Sequence, residues 1–356
     1  MPTFQANGLA TLIGSLPVNN HRDALSLIFN HTPDIPLWPQ LPCNPQEGML
    51  SQFIEGMPGI IEENERTYFN IQTPSFEQEM VAYFEKYLAA CEDHNLLADS
   101  PFAVSRERAQ GLFALKEALL EQKGLTAVKG QITGPFTLLT GLHDQEGRAA
   151  YYDPTIREMA IKGLALKAAW QVRFLKESGL PVLMFIDEPA LAGLGSSAFI
   201  SISLADIGQD LNEVIDAIHN NGGLAGVHVC ANTDWDFLLS SNIEVLSFDA
   251  YSFFDKLAVY KEKLYAFLDR GGIIAWGGVP TSEKEQIDKE SADSLVALWE
   301  KQYQQLVTPQ WDLAKLLRQT LITPSCGTGS LPLPYANKVL ELTRDVSLKL
   351  RGKYLS

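Results

Sequence analysis

His228 and Cys230 stand two residues apart at the end of an apolar run in LAGVHVCANTDWD (224–236). On an extended strand, positions i and i+2 share a face, so both side chains could reach one ion or one ligand. A lone HxC equally describes a buried cysteine beside a hydrogen-bonded histidine. A third residue of matching chemistry, Cys326, ends the apolar run TLITPSC (320–326). Two thiolates and an imidazole suit Zn²⁺, and catalytic zinc sites take three protein ligands plus an exchangeable position. Asp249, in EVLSFDA (244–250), could fill that position, orient His228 from behind, or cap backbone groups at a strand end.

Other run ends also carry chemistry. PVLMFI leads into Asp187 and Glu188, which on alternating faces cannot both point inward. Asp187 is read as the one that meets substrate and Glu188 as a partner behind the sheet, a structural salt bridge being the competing account. Gly14 and Ser15 offer close backbone approach and a hydroxyl, suited to a carboxylate or amide, or else form a plain turn. Gln40, Gln131, Tyr251 and Trp276 add polar or aromatic groups at further ends and are read as substrate contacts. The Gly327-Thr328-Gly329-Ser330 loop could offer N–H groups to an anion but is no P-loop. His143 is the other histidine near a presumed mouth; Cys43 is a candidate reactive thiol, and Cys91, on a helical stripe, reads as core.

The elements that must position these residues are β-type runs alternating with segments of helical period. Runs at 10–16, 36–41, 126–132, 182–188, 224–230, 244–250, 273–279 and 320–326 make eight strands, most of them apolar on both faces as parallel strands are. Between them, DIGQDLNEVIDAIHNNGG sets Ile207, Leu211, Val214, Ile215 and Ile218 on one stripe before a glycine stop. TIREMAIKGLALKAAWQVRFLKESG repeats that logic and stops at Gly179. Eight such alternations predict an α/β fold, a (β/α)8 TIM barrel over 1–356 as a single domain, with chemistry at the carboxyl ends of its strands. In that fold the fifth and eighth strands face one mouth, which brings Cys326 toward His228 and Cys230. An open doubly wound sheet is disfavoured, because no GxGxxG turn follows an early strand. Residues 43–125 read as a helical insertion between strands two and three, covering the mouth or packing at the periphery.

Composition bounds the partners. The 356 residues are 46% hydrophobic and 20% charged, with a net charge of -15 from 43 acidic and 28 basic residues. That balance argues against nucleic acid or an anionic membrane as partner. No run approaches the roughly 20 apolar residues of a membrane helix, and MPTFQANGLATLIG lacks the features of a signal peptide. Four cysteines in a chain of this length do not make a disulfide framework. The expectation is a cytoplasmic protein with free thiols.

Taken in order, IGS near the start, TGP after 126–132, IDEPAL, HVCANT and a late CG resemble the catalytic domain of cobalamin-independent methionine synthase. The wider group is the uroporphyrinogen decarboxylase/methionine synthase-like barrel superfamily, which includes methylcobamide:coenzyme M methyltransferases. The resemblance runs from Thr11 to Gly327. It implies a zinc-dependent methyltransferase of methionine biosynthesis, with His228, Cys230 and Cys326 as zinc ligands and Asp249 near a fourth. It also implies that Ile13, Gly14, Ser15 and Asp187 hold the amino-acid part of homocysteine. Gly141 and Gly193 lie where the family has a tryptophan and a carboxylate, and WGGVPTSEK lacks its histidine. The folate half of the site is thus altered, which favours a corrinoid (methylcobalamin), carried by a partner protein, as methyl donor. Two other readings are a metal-free decarboxylase-like lyase on the same barrel and a non-catalytic barrel that binds a corrinoid or methyl carrier.

Overall fold

The computed structural model describes residues 4–63, 66–194, 199 and 201–355. The first residues of MPTFQ and positions 64 and 65 of the expected insertion lie outside these.

Six parallel strands form one curled, half-barrel sheet in chain order: β3 (Val128–Thr133), β4 (Val182–Asp187), β5 (Leu224–Val229), β6 (Val245–Phe248), β7 (Ile273–Val279) and β8 (Thr320–Pro324). A separate antiparallel hairpin pairs β1 (Ile60–Glu63) with β2 (Arg66–Phe69). Alternation sorts the parallel strands into two layers. Val182, Met184, Ile186, Ala225, Val227, Leu246, Phe248, Ile274 and Ile322 join the large core shared with the helices. Ala127, Leu183, Phe185, Val245, Ile273, Ala275 and Leu321 form a second cluster on the concave side, with Leu9 and Ile35. Above that apolar floor the same inner positions turn polar: Lys129, Gln131 and Thr133 on β3, Asp187, His228 with Cys230, Ser247 with Asp249, and Thr323.

Helices cover the convex side. Pro154–Lys176 starts at Asp153, whose carboxylate accepts from Thr155 N and Ile156 N, with proline at the first turn where no N–H is missed. Leu204–Asn220 is capped by Ser203 and buries the expected stripe of Ile207, Leu211, Val214, Ile215 and Ile218. It ends at Gly222, whose φ of 75 is in the left-handed region that glycine enters without strain. No described helix is long and apolar enough to cross a membrane.

Three expectations need correction. Residues 10–16 and 36–41 are not strands; they make single parallel bridges, Ala10 to Ile322, Ser15 to Gln40 and Leu37 to Lys129. Pro36, Pro39 and Pro42 punctuate the second segment, and proline has no N–H to donate to a ladder. The 43–125 region, expected to be helical, also contains the β1–β2 hairpin beside the helices Phe76–Glu92 and Gln110–Leu119. Its chain at 49–52 rests on the end of β3. Thr133 Oγ1 donates to Met49 O at 2.6 Å, and Gln40 Nε2 donates to Gln52 Oε1 at 2.6 Å. Arg108, paired with Glu62, holds the loop from behind by donating to Ser51 O at 2.7 Å. Cys91, expected in the core, is exposed, as is Cys43.

Candidate active site

Register fixes the polar floor. Thr133 pairs with Asp187, Asp187 with His228, and His228 with Ser247, so these side chains form one row across β3 to β6. One layer higher come Cys230, Asp249 and Thr323, and Cys326 follows β8.

His228 is 4% exposed. Its Nδ1 lies 2.9 Å from Ser247 Oγ, while Nε2 is buried with no partner. Burial, with the nearby Lys129 ammonium, pushes its pKa down to about 3, so the ring is neutral. The Cys230 and Cys326 thiols hydrogen-bond to each other. That contact lowers Cys230 to about 7 and raises Cys326: the first thiolate is stabilised by its neighbour's S–H, and the second proton is held harder.

Asp187 points to the concave side and is 7% exposed, with Oδ1 unpartnered. Burial raises its pKa to about 7, opposed by Lys129, which burial lowers to about 8. Lys129 was not singled out in the sequence, although VKGQI sets it on the same face as Gln131. It is fully buried, donates to Gln131 Oε1 at 3.2 Å and to Ile13 O at 2.5 Å, and lies 4.6 Å from the Phe185 ring centre. Thr323 Oγ1, also unforeseen, is fully buried and unpartnered.

Glu188 faces the other way. Its carboxylate accepts from Phe136 N (3.0 Å), Thr137 N (2.8 Å) and Thr137 Oγ1 (2.6 Å), capping the helix Pro135–Gly141. Gly134 makes room: a Cβ there would lie 2.2 Å from Glu188 Oε1. TGP and DEP are therefore two halves of one contact.

The remaining expected residues fall outside the row. Asp249 is buried and spends Oδ1 on Ser252 N at 2.9 Å, capping the helix Ala250–Leu257. Tyr251 sits on that helix and donates to Glu290 at 2.9 Å. Trp276, expected to face substrate, is instead on the convex side, fully buried, donating Nε1 to Gln302 Oε1 at 2.6 Å. Gln131 donates to Trp38 O at 2.9 Å. Gln40 lies against Gly14, where a Cβ would be 2.5 Å from its Oε1. Ser15 Oγ accepts from Gly329 N at 3.2 Å.

Among the described residues, no three His, Cys, Asp or Glu side chains are gathered so as to hold a metal ion. The four expected ligands occupy adjoining positions, but Asp249 is committed to its helix and the thiols to each other. The donor chemistry nevertheless suits zinc: a neutral imidazole with a free Nε2, its other nitrogen fixed by a hydroxyl, and two thiols in contact.

No family model matches the chain, and no characterised protein matches it in sequence. Among solved structures, a Listeria monocytogenes protein provisionally assigned as a vitamin-B12-independent methionine synthase aligns with a TM-score of 0.45 at 15% identity, over 67% of this chain and 69% of that one. The tandem GH20 catalytic modules of the pneumococcal exo-β-D-N-acetylglucosaminidase align with a TM-score of 0.46 at 9% identity, over 96% and 85%. Overlap this low, reaching proteins with such different names, assigns the chain to neither.

Proposed function

We propose that the chain is a cytoplasmic zinc-dependent methyltransferase that delivers a methyl group to a thiol such as homocysteine, on a complete (β/α)8 barrel. The observation that carries the reading is the convergence of buried, unpartnered polar atoms beside two touching thiols. Asp187 Oδ1, His228 Nε2 and Thr323 Oγ1 all lack a partner at the carboxyl end of the curled sheet. Buried polar groups are rarely left unpaired, and the exceptions often await a ligand. The barrel reading rests on the single bridges that link 10–16 and 36–41 to β8, to each other and to β3.

His228, Cys230 and Cys326 would hold the zinc. When bound, it would favour the thiolate form of the substrate at neutral pH. The chain's own residues do the remainder. Ser247 keeps His228 Nδ1 occupied, so that Nε2 is the nitrogen presented. Asp187 Oδ1 accepts from the substrate ammonium, and Lys129 beneath it offsets the buried carboxylate charge. The segment 49–52, braced by Thr133 and Gln40, walls one side of the mouth and limits water. The sulfur then forms its bond to the methyl carbon as the methyl–donor bond breaks, the electron pair leaving with the donor. A methylcorrinoid on a partner protein is the proposed donor.

The test is metal analysis joined to a transfer assay. The purified chain should hold about one zinc, and Cys326→Ser should lose most of it. Methyl transfer from methylcobalamin to homocysteine or coenzyme M should proceed, with methyl-folate run alongside. A chain without stoichiometric zinc would point to the metal-free lyase. Zinc without transfer to any thiol would point to a binding barrel.

A further inference from the structure

Ser15 lies in the segment expected from the sequence to meet the substrate, yet its polar atoms are turned to another task. Its carbonyl accepts from Thr328 N at 3.0 Å and from Thr328 Oγ1 at 3.1 Å. Its hydroxyl accepts from Gly329 N at 3.2 Å. The loop wraps so closely that a Cβ on Gly327 would lie 2.2 Å from Ser15 Oγ, and one on Gly329 would lie 2.8 Å from Ser15 Cβ. Three hydrogen bonds from one residue thus fasten the turn that begins at Cys326. The turn is held at its start by Ser325, whose N donates to Val279 O at 2.8 Å and whose Oγ accepts from Thr281 N at 3.2 Å, so the bonds from Ser15 fix its 327–329 side, where Leu331 N bonds back to Thr328 O within the loop. The far side of Ser15 is secured too, since Lys129 Nζ donates to Ile13 O and Gln40 N to Gly14 O.

We propose that Ser15 is a positioning residue: its hydroxyl and carbonyl fasten the Cys326-Gly327-Thr328-Gly329 turn and so set where the Cys326 sulfur stands relative to Cys230. This deepens the reading of Cys326 as a site residue and rests on it. It assigns to Ser15 a role different from contact with substrate. The requirement for glycine at 327 and 329 follows from the same packing, because any side chain there would displace the serine that holds the loop.

The experiment measures alkylation of each cysteine by iodoacetamide, resolved by peptide mass spectrometry, in the purified full chain and again after dialysis against a chelator. Ser15→Ala should raise the Cys326 rate about tenfold and, because the S–H that supports the Cys230 thiolate shifts, change the Cys230 rate too, while leaving the distant Cys43 and Cys91 unchanged. That factor corresponds to about 1.4 kcal/mol, in the range of one net hydrogen bond. Deuterium uptake by the 325–331 peptide should rise in parallel. Thr328→Val, which removes the Oγ1 hydrogen bond to Ser15 O but keeps the shape and the bond from Thr328 N, should act in the same direction and serves if Ser15→Ala does not fold. An unchanged Cys326 rate in the variant that folds overturns the proposal, as does a rise shared equally by all four cysteines. Because the readout needs neither zinc nor methyl transfer, loss of the zinc reading leaves this result interpretable.

Discussion

Removing the Glu188 carboxylate should cost more stability than almost any other single change near the site. Glu188→Ala deletes three hydrogen bonds to one carboxylate and strands Phe136 N, Thr137 N and Thr137 Oγ1 in a buried place. Hydrogen bonds to a charged group are worth about 1.5–3 kcal/mol each, which would give about 5 kcal/mol or more. Burial works against this, leaving the carboxyl raised to about 7 from 4.5 even with the three bonds made, so part of that gain is offset. A net loss of about 2–4 kcal/mol remains, a large share of the roughly 5–15 kcal/mol by which domains are stable. Urea unfolding followed by circular dichroism at pH 8 reads it as a lower midpoint at unchanged slope. The sharper test is a cycle with Gly134→Ala. Alone, that methyl collides with the carboxylate at 2.2 Å and should cost about 2 kcal/mol or more. In the Glu188→Ala background the space is free, so the two costs should fall short of additive by more than about 1 kcal/mol. Additive losses, or a Glu188→Ala loss below about 1 kcal/mol, would refute the shared contact.

Three further outcomes are expected. Ser247→Ala, which frees His228 Nδ1, should weaken zinc binding about 10–100-fold as judged by competition with a chromophoric chelator, and should cost about 1–3 kcal/mol in urea because a buried ring nitrogen loses its partner. Gln302→Leu should leave the buried Trp276 Nε1 without its acceptor and cost about 1–3 kcal/mol in urea, yet leave the KM for thiol unchanged because Trp276 faces away from the row. His219 is raised above 6.5 chiefly by its hydrogen bond to Glu244. Its stabilisation is therefore fully present below about pH 6.5 and fades as pH rises through the higher folded value. The gap in stability between His219→Gln and the parent should be a few tenths of a kcal/mol to about 1 at pH 5.5, and should narrow by pH 8.5.

The parallel strands were legible because their cores are apolar on both faces: the runs at 126–132, 182–188, 224–230, 244–250, 273–279 and 320–326 overlap β3 to β8 within a few residues. The segments 10–16 and 36–41 carry the same apolar signal, but Pro36 and Pro39 have no N–H to give a ladder, and 10–16 makes only single bridges, to β8 and to Gln40. The hairpin at 60–69 was hidden because IIEE and RTYF are half-exposed and short. Within the site, period-2 spacing put His228 with Cys230, and Asp187 opposite Glu188. Spacing alone cannot say which side of a strand is concave, and so Trp276 was misplaced. Lys129 went unnoticed because an isolated lysine usually marks solvent; only the surrounding elements bury it.

The single bridges beside β3 and β8 bear on how the molecule yields. Each of the six strands is laddered to its neighbour along most of its length, whereas 10–16 and 36–41 hold through scattered bonds such as Thr11 N to Ile322 O (3.1 Å) and Lys129 N to Pro36 O (2.9 Å). Local opening follows the sparsest backbone pairing. This flank should therefore admit deuterium before the six-stranded ladder does, while the row on β4 to β6 stays protected.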